Sequence, residues 1–166
     1  MKDQKGFTLV EILIVVLIIG IVGTLAAIAV NTARSKTRDA TRISSVRQMQ
    51  SALEDFFNET NSYPQGAGTP LGDSTQSVCL GTGGFQDNCS GDDSVFLRVV
   101  MATLDKGLKG ASTCGTPARN AYCYAASTDG AGYVIQFELE NALPQVGLAE
   151  GVNCATPDGI KGGACS

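Results

Sequence analysis

The sequence predicts an α+β fold: a long N-terminal α-helix, half transmembrane and half amphipathic, packed on a small antiparallel β-sheet headpiece with long disulfide-braced loops. Three observations predict it. Residues 7–30 are apolar almost throughout, apolar residues then recur at three- and four-residue spacing as far as Phe57, and two alternating stretches flank Asp129-Gly130. At 166 residues the chain has room for one core.

Composition narrows the chemistry. With 43% apolar and 17% charged residues, the chain is too apolar and too sparsely charged for wholesale disorder. His and Trp are both absent. That excludes histidine general bases, histidine-containing triads and every His-ligated metal site. No phosphate loop, nucleophile elbow or isolated carboxylate pair in an apolar setting is present, so the expectation is a non-enzyme without a cofactor. Charge is unevenly spread. Residues 31–48 carry Arg34, Lys36, Arg38, Arg42 and Arg47 against Asp39, a net +4, whereas residues 49–166 carry five basic and thirteen acidic side chains, a net −8. An acidic distal part disfavours nucleic acid as a partner. The basic cluster is expected to be a solvated helix face near a membrane surface.

The first element is the apolar helix. Its twenty-four residues, 7–30, contain one charge, Glu11. At about 1.5 Å per residue they reach about 36 Å, enough to cross a hydrocarbon layer of about 30 Å. Residues 12–19 are unbroken Ile, Leu and Val, apolar on every side. Gly20 and Gly23 weaken the middle of the helix and admit a close neighbour. A cleavable secretory signal is the rival, with Lys2 and Lys5 as its basic start and Ala27-Ile28-Ala29 as a small-x-small site. The length of the apolar run and the carboxylate inside it weigh against that rival. A charge in such a helix is costly and calls for a partner. Either Glu11 snorkels to water from the helix end, or it meets a counter-ion in an assembled state.

Lys5-Gly6-Phe7-Thr8-Leu9-Val10-Glu11, followed at once by the aliphatic run, resembles the class III signal of type IV pilins and type II secretion pseudopilins. The resemblance is dense over residues 5–30 and thins to a general pattern beyond. It implies that residues 1–6 are a leader removed by a prepilin peptidase, which cuts after Gly6, and that Phe7 becomes the N-methylated new terminus. It also implies that Glu11 acts in assembly. The physics agrees: cleavage leaves an ammonium on Phe7, and between staggered neighbours it can meet the Glu11 carboxylate. Such a pair in low dielectric is favourable only when matched, which makes Glu11 a register device. The chain departs from the family at Ile28, where many members have proline. Charge bias also opposes the implied topology, since the positive-inside rule would place Arg34 to Arg47 in the cytoplasm. Six cysteines requiring an oxidising compartment overrule it.

Beyond the membrane segment the helix is expected to continue over residues 31–62. Ile43, Val46, Met49 or Gln50, Leu53, Phe56 and Phe57 form one apolar stripe, and Tyr63-Pro64 ends it. Residues 63–166 are the expected headpiece. Within it, residues 65–94 are read as an irregular loop and residues 95–104 as one or two helical turns. Residues 120–127 and 132–140 are read as a hairpin around Asp129-Gly130. In its second strand Tyr133, Ile135, Phe137 and Leu139 face the helix stripe, and Val134, Gln136, Glu138 and Glu140 face away. This order of elements is also similar to small pilin and pseudopilin headpieces.

Cys79, Cys89, Cys114, Cys123, Cys154 and Cys165 allow fifteen connectivities. The sequential one, Cys79–Cys89, Cys114–Cys123 and Cys154–Cys165, closes three short loops of similar size and is the pairing expected. Without histidine or C-x-x-C spacing, zinc is disfavoured. Asp87, Asp92 and Asp93 are weak calcium candidates, because their spacing lacks the EF-hand form and a solvated acidic loop accounts for them. Asn58-Glu59-Thr60 and Asn88-Cys89-Ser90 match the glycosylation sequon, a triplet common by chance.

The expectation is therefore a filament subunit polymerising through its N-terminal helix, a major-pilin-like protein of a type IV pilus. A type II secretion pseudopilin is the nearest alternative, and a single-span anchored extracellular binding module is the alternative of another class. The partners implied are further copies of the chain, the prepilin peptidase, the inner-membrane assembly machinery and, before assembly, the lipid bilayer. The precursor would sit in the inner membrane and the mature subunit in a cell-surface filament.

Overall fold

A computed structural model of the chain describes residues 6–103 and 105–165. The chain divides into two units, Met1–Ser35 and Lys36–Ser166. A single helix, α1 (Leu9–Thr60), supplies both. Except for Gly6, the expected leader lies outside the described residues. In the first unit the described secondary structure is helix alone.

In the second unit α1 runs to Thr60 because nothing before residue 61 interrupts it. Asn61 then adopts left-handed backbone, φ 56°, and its N–H donates to the Phe57 carbonyl at 2.8 Å. Asparagine tolerates that conformation at a helix C-terminus, and Pro64 prevents resumption. Among the described residues ten short strands follow: β1 (Ala67–Leu71), β2 (Cys79–Gly81), β3 (Gly84–Gln86), β4 (Val95–Leu97), β5 (Thr113–Cys114), β6 (Arg119–Asn120), β7 (Tyr122–Ala126), β8 (Tyr133–Leu139), β9 (Gly151–Thr156) and β10 (Gly159–Gly162). Five form an antiparallel sheet in the order β1-β7-β8-β9-β10. The others form a three-stranded sheet, β3-β2-β4, and a two-stranded ribbon, β5-β6.

The hairpin expected around Asp129-Gly130 is β7–β8, with Tyr124 opposite Ile135. Tyr133, Ile135, Phe137 and Leu139 are buried, and they pack in one core with Val46, Met49, Leu53 and Phe56 of α1. Period two on the strand and period three to four on the helix thus present matching apolar faces. Aromatic rings join the layers edge to face: Tyr63 meets Tyr133 at 4.7 Å and Phe56 meets Phe96 at 5.2 Å between centroids. The Tyr124 hydroxyl, whose pKa burial pushes up, donates to the Pro64 carbonyl at 2.6 Å.

Four expectations need correction. Residues 65–94 are not one irregular loop, since β1 pairs with β7 and β2 with β3. Pro70 fits because β1 is an edge strand, where a missing N–H is tolerated. Residues 95–104 do not begin as helix: Val95–Leu97 is β4, paired with β2. A short apolar run does not separate strand from helix by periodicity, and the β-branched Val95 and aromatic Phe96 favoured strand. Glu138 does not face solvent. It is buried, and its carboxylate accepts the backbone N–H groups of Lys109 at 2.6 Å and Ala111 at 2.9 Å, so a loop laid over that face of β8 needs it.

The fourth correction concerns the basic cluster, which is not wholly a solvated face. The Arg42 side chain is 0% exposed and that of Asp39 is 1%. Arg42 donates from Nη1 to Asp39 and to Glu140, each at 2.7 Å, and from Nη2 to the Lys106 carbonyl at 2.8 Å. Arg38 grips Glu140 with both Nε and Nη2 at 2.6 Å. Asp39 in turn accepts the backbone N–H groups of Glu140 and Asn141, each at 2.9 Å. This cluster clamps α1 to the end of β8. The hydrogen bond from Arg38, with the charge and hydrogen bond of Arg42, holds the Glu140 carboxyl below its ordinary value of 4.5 against the opposing effect of burial. Gly107 sits beside the clamp with φ 85°, and a Cβ there would land on the Glu140 carboxylate.

Candidate functional site

Three of the residues singled out by sequence, Gly6, Phe7 and Glu11, lie at the start of α1. Leu9 is the first helical residue and Thr8 precedes it as N-cap. The Glu11 N–H donates to Thr8 Oγ1 at 3.2 Å, and the Thr8 N–H donates to Glu11 Oε2 at 3.5 Å. This reciprocal pattern is a capping box, in which Thr-x-x-Glu satisfies two N–H groups that a helix start otherwise leaves unpaired. A carboxylate at this end also faces the positive pole of the helix dipole. Glu11 is thus tied to its own helix start while its second oxygen, Oε1, accepts no hydrogen bond among the described residues. Phe7 is 77% exposed. Thr8 was not singled out by sequence reasoning, although Thr8-Leu9-Val10-Glu11 spells the capping signature.

The rest of the first unit is an apolar surface without cover. Every described residue from Gly6 to Arg34 is exposed, and the most apolar eighteen-residue window of α1 is 0% buried. Among the described residues, α1 is the one helix long and apolar enough to cross a membrane. The hydroxyls of Thr24 and Thr32 donate to the carbonyls of Ile21 at 2.8 Å and Ile28 at 3.1 Å. Side chains that close their hydrogen bonds within the helix need no water, which suits a nonpolar surrounding. Nothing lies within 4 Å of a Cβ built on Gly20 or Gly23. An exposed apolar face of this extent marks contact with lipid or protein.

In the second unit the cysteines are joined as Cys79–Cys89, Cys114–Cys123 and Cys154–Cys165. The first bridge closes the loop that carries Asp87. Asp92 accepts from Gln86 Nε2 at 3.0 Å, and Asn88 Oδ1 accepts from the Ser90 N–H at 2.9 Å. Among the described residues no three His, Cys, Asp or Glu side chains gather as a metal site, so Asp87, Asp92 and Asp93 are not brought together as one.

Against these observations, a family model of the prokaryotic N-terminal methylation motif matches residues 1–27. No solved structure matches the chain. The matched segment contains Gly6, Phe7, the Thr8–Glu11 capping box and most of the uncovered apolar helix. It implies processing by a prepilin peptidase and assembly into a pilus or pseudopilus. Residues 1–27 are a class III signal, as in type IV pilins and pseudopilins, proteins that serve as structural subunits.

Proposed function

We propose that this chain is the structural subunit of a type IV pilus, cleaved after Gly6, N-methylated on Phe7 and polymerised through residues 7–30. The observation that carries this reading is an apolar helix whose described residues from Gly6 to Arg34 are all exposed, opened by a lone carboxylate inside a methylation motif. Hydrolysis of the Gly6–Phe7 peptide bond frees the Phe7 amine, which is protonated at neutral pH and stays cationic when methylated. Glu11 Oε2 is engaged by Thr8 and Oε1 remains open to a neighbour's ammonium. A charge pair closed between subunits in a dry bundle rewards one stagger and penalises the others. Before assembly the same helix spans the inner membrane; afterwards the second unit faces outward on the cell surface.

A type II secretion pseudopilin shares every feature of the first unit. Three disulfides call for an oxidising compartment, which the periplasm and the cell exterior both provide, and the long braced loops of the second unit are what incline the reading to a surface fibre. An anchored monomeric binding module needs no carboxylate in its span.

Glu11→Ala tests the proposal. Fibre yield is expected to fall by about tenfold or more, the scale of one lost charge pair, while the mature protein still begins at Phe7 by mass spectrometry. Normal fibres from the variant, or a mature wild-type protein beginning near Val30, would contradict it.

A further inference from the structure

The second unit carries an open groove of about 840 Å³ between α1 and the segment from Leu143 to Ile160. Ile43, Leu143, Leu148 and Ile160 give it an apolar lining, and the exposed Lys36 and Arg47 line it too. Among the described residues no acidic side chain lines it. Both cations are exposed, and neither makes an ion pair or side-chain hydrogen bond among the described residues. The opposite charge lies further along the same helix. Asp55 and Glu59 are exposed, one turn apart, near the C-terminal end of α1, and the last turn has no basic residue. Like charges at this spacing repel, and a helix C-terminus is the negative end of the dipole. Ser94 Oγ donates to Glu59 at 2.9 Å, a neutral contact that leaves the charge in place, and Asp93 beside it adds another exposed carboxylate. Among the described residues no cation pairs with this acidic end, which therefore gains from one supplied by another copy.

We propose that the groove seats a second copy of this chain, whose Asp55 and Glu59 engage Arg47. Building on the filament reading, this names the contact between headpieces. The two surfaces differ, so the contact is head-to-tail, and an axial offset between successive copies makes it propagate as an open polymer instead of a ring. Asp55 and Glu59 lie eight and twelve residues beyond Arg47. At about 1.5 Å per residue, parallel copies offset by about 12–18 Å bring Asp55 or Glu59 level with Arg47, whereas Lys36, eleven residues earlier, stays outside this contact. The acidic balance of the distal part opposes nucleic acid as the occupant, because that surface repels a polyanion. An isolated exposed ion pair contributes little, but a mismatched charge repeated at every contact selects strongly against the wrong register.

The test is a pair of full-length variants that are defective alone and complementary together. Arg47→Glu reverses the groove's charge at the contact, and Asp55→Lys with Glu59→Lys makes the far end basic. Each alone is expected to lower fibre yield by about tenfold or more, and co-expression to restore it to within about twofold of wild type, in fibres containing both. Membrane levels and three intact disulfides serve as the check that each variant folds. Wild-type yield from either variant alone, or no recovery in the mixture, overturns the inference and leaves the filament reading standing. A wild-type chain that makes no fibres overturns the filament reading itself, and the inference with it.

Discussion

Glu140 accepts hydrogen bonds from Arg38 at 2.6 Å and Arg42 at 2.7 Å, while its own backbone N–H donates to Asp39 at 2.9 Å. Replacing it with Gln keeps the volume and removes the charge that Arg42, fully buried, was placed against. Leaving a buried charged donor poorly matched costs about 1–3 kcal/mol, so Glu140→Gln is expected to lower the unfolding free energy by that amount in urea titration. Acid should act in the same direction. Because the folded-state value of Glu140 lies below its ordinary 4.5, its contribution is complete above 4.5 and is lost as pH falls through the lower folded value. The wild-type protein should therefore lose stability in acid more steeply than the Gln variant. Parallel pH profiles of thermal unfolding would contradict this assignment. None of it was legible from sequence, because Arg42 and Glu140 are 98 residues apart and a charge on a helix reads as solvated. Glu11 was legible because a carboxylate among aliphatic residues is conspicuous. Its partner Thr8 was spelled in the same seven residues and overlooked, since the capping signature is short and the apolar run overshadowed it.

Among the elements, β8 was readable and β9 and β10 were not. Tyr133, Ile135, Phe137 and Leu139 alternate with smaller or polar residues, and burial on one face imposes that alternation. In β9 and β10 only a few positions are buried, Asn153, Cys154 and Ala155, so no period stands out. What holds that end is covalent and polar. Cys154 is 0% exposed and bonded to Cys165, and Asn153 donates from Nδ2 to the Ala149 and Gly151 carbonyls, each at 2.9 Å. Replacing Cys154 and Cys165 together by alanine is expected to cost about 2–4 kcal/mol, the effect of releasing a loop of this size. Hydrogen exchange should rise first across β9 and β10, with β7 and β8 protected for longer. Uniform loss of protection across all four strands would show that the bridge supports the whole sheet instead. β1 was missed for another reason: Gly68, Thr69 and Pro70 are the residues of turns, and here they form an edge strand whose partner supplies the order.

Two units with opposite requirements share one chain. The first exposes its apolar side chains throughout, whereas the second buries its core between α1 and the sheet and staples its loops with three disulfides. The buried core begins at Val46 and the clamp at Arg38, both inside Lys36–Ser166. Residues 36–166, made alone in an oxidising compartment, are therefore expected to fold as a soluble monomer with all three bridges, while the full chain needs detergent. Sedimentation and mass measurement of the bridged peptides check this. A truncated product that aggregates would show that the second unit depends on the first. Monomeric behaviour at micromolar concentration is also consistent with the groove contact, because exposed charge pairs hold little on their own.

The clamp has a mechanical consequence. Arg38, Asp39 and Arg42 grip the end of β8, the middle strand of five, which is laced to β7 on one side and β9 on the other. A pull delivered along α1 therefore enters the headpiece at its best-connected strand, where neighbouring ladders share the tension in shear. Fraying under load should begin outside this sheet, in the loops that the disulfides tether.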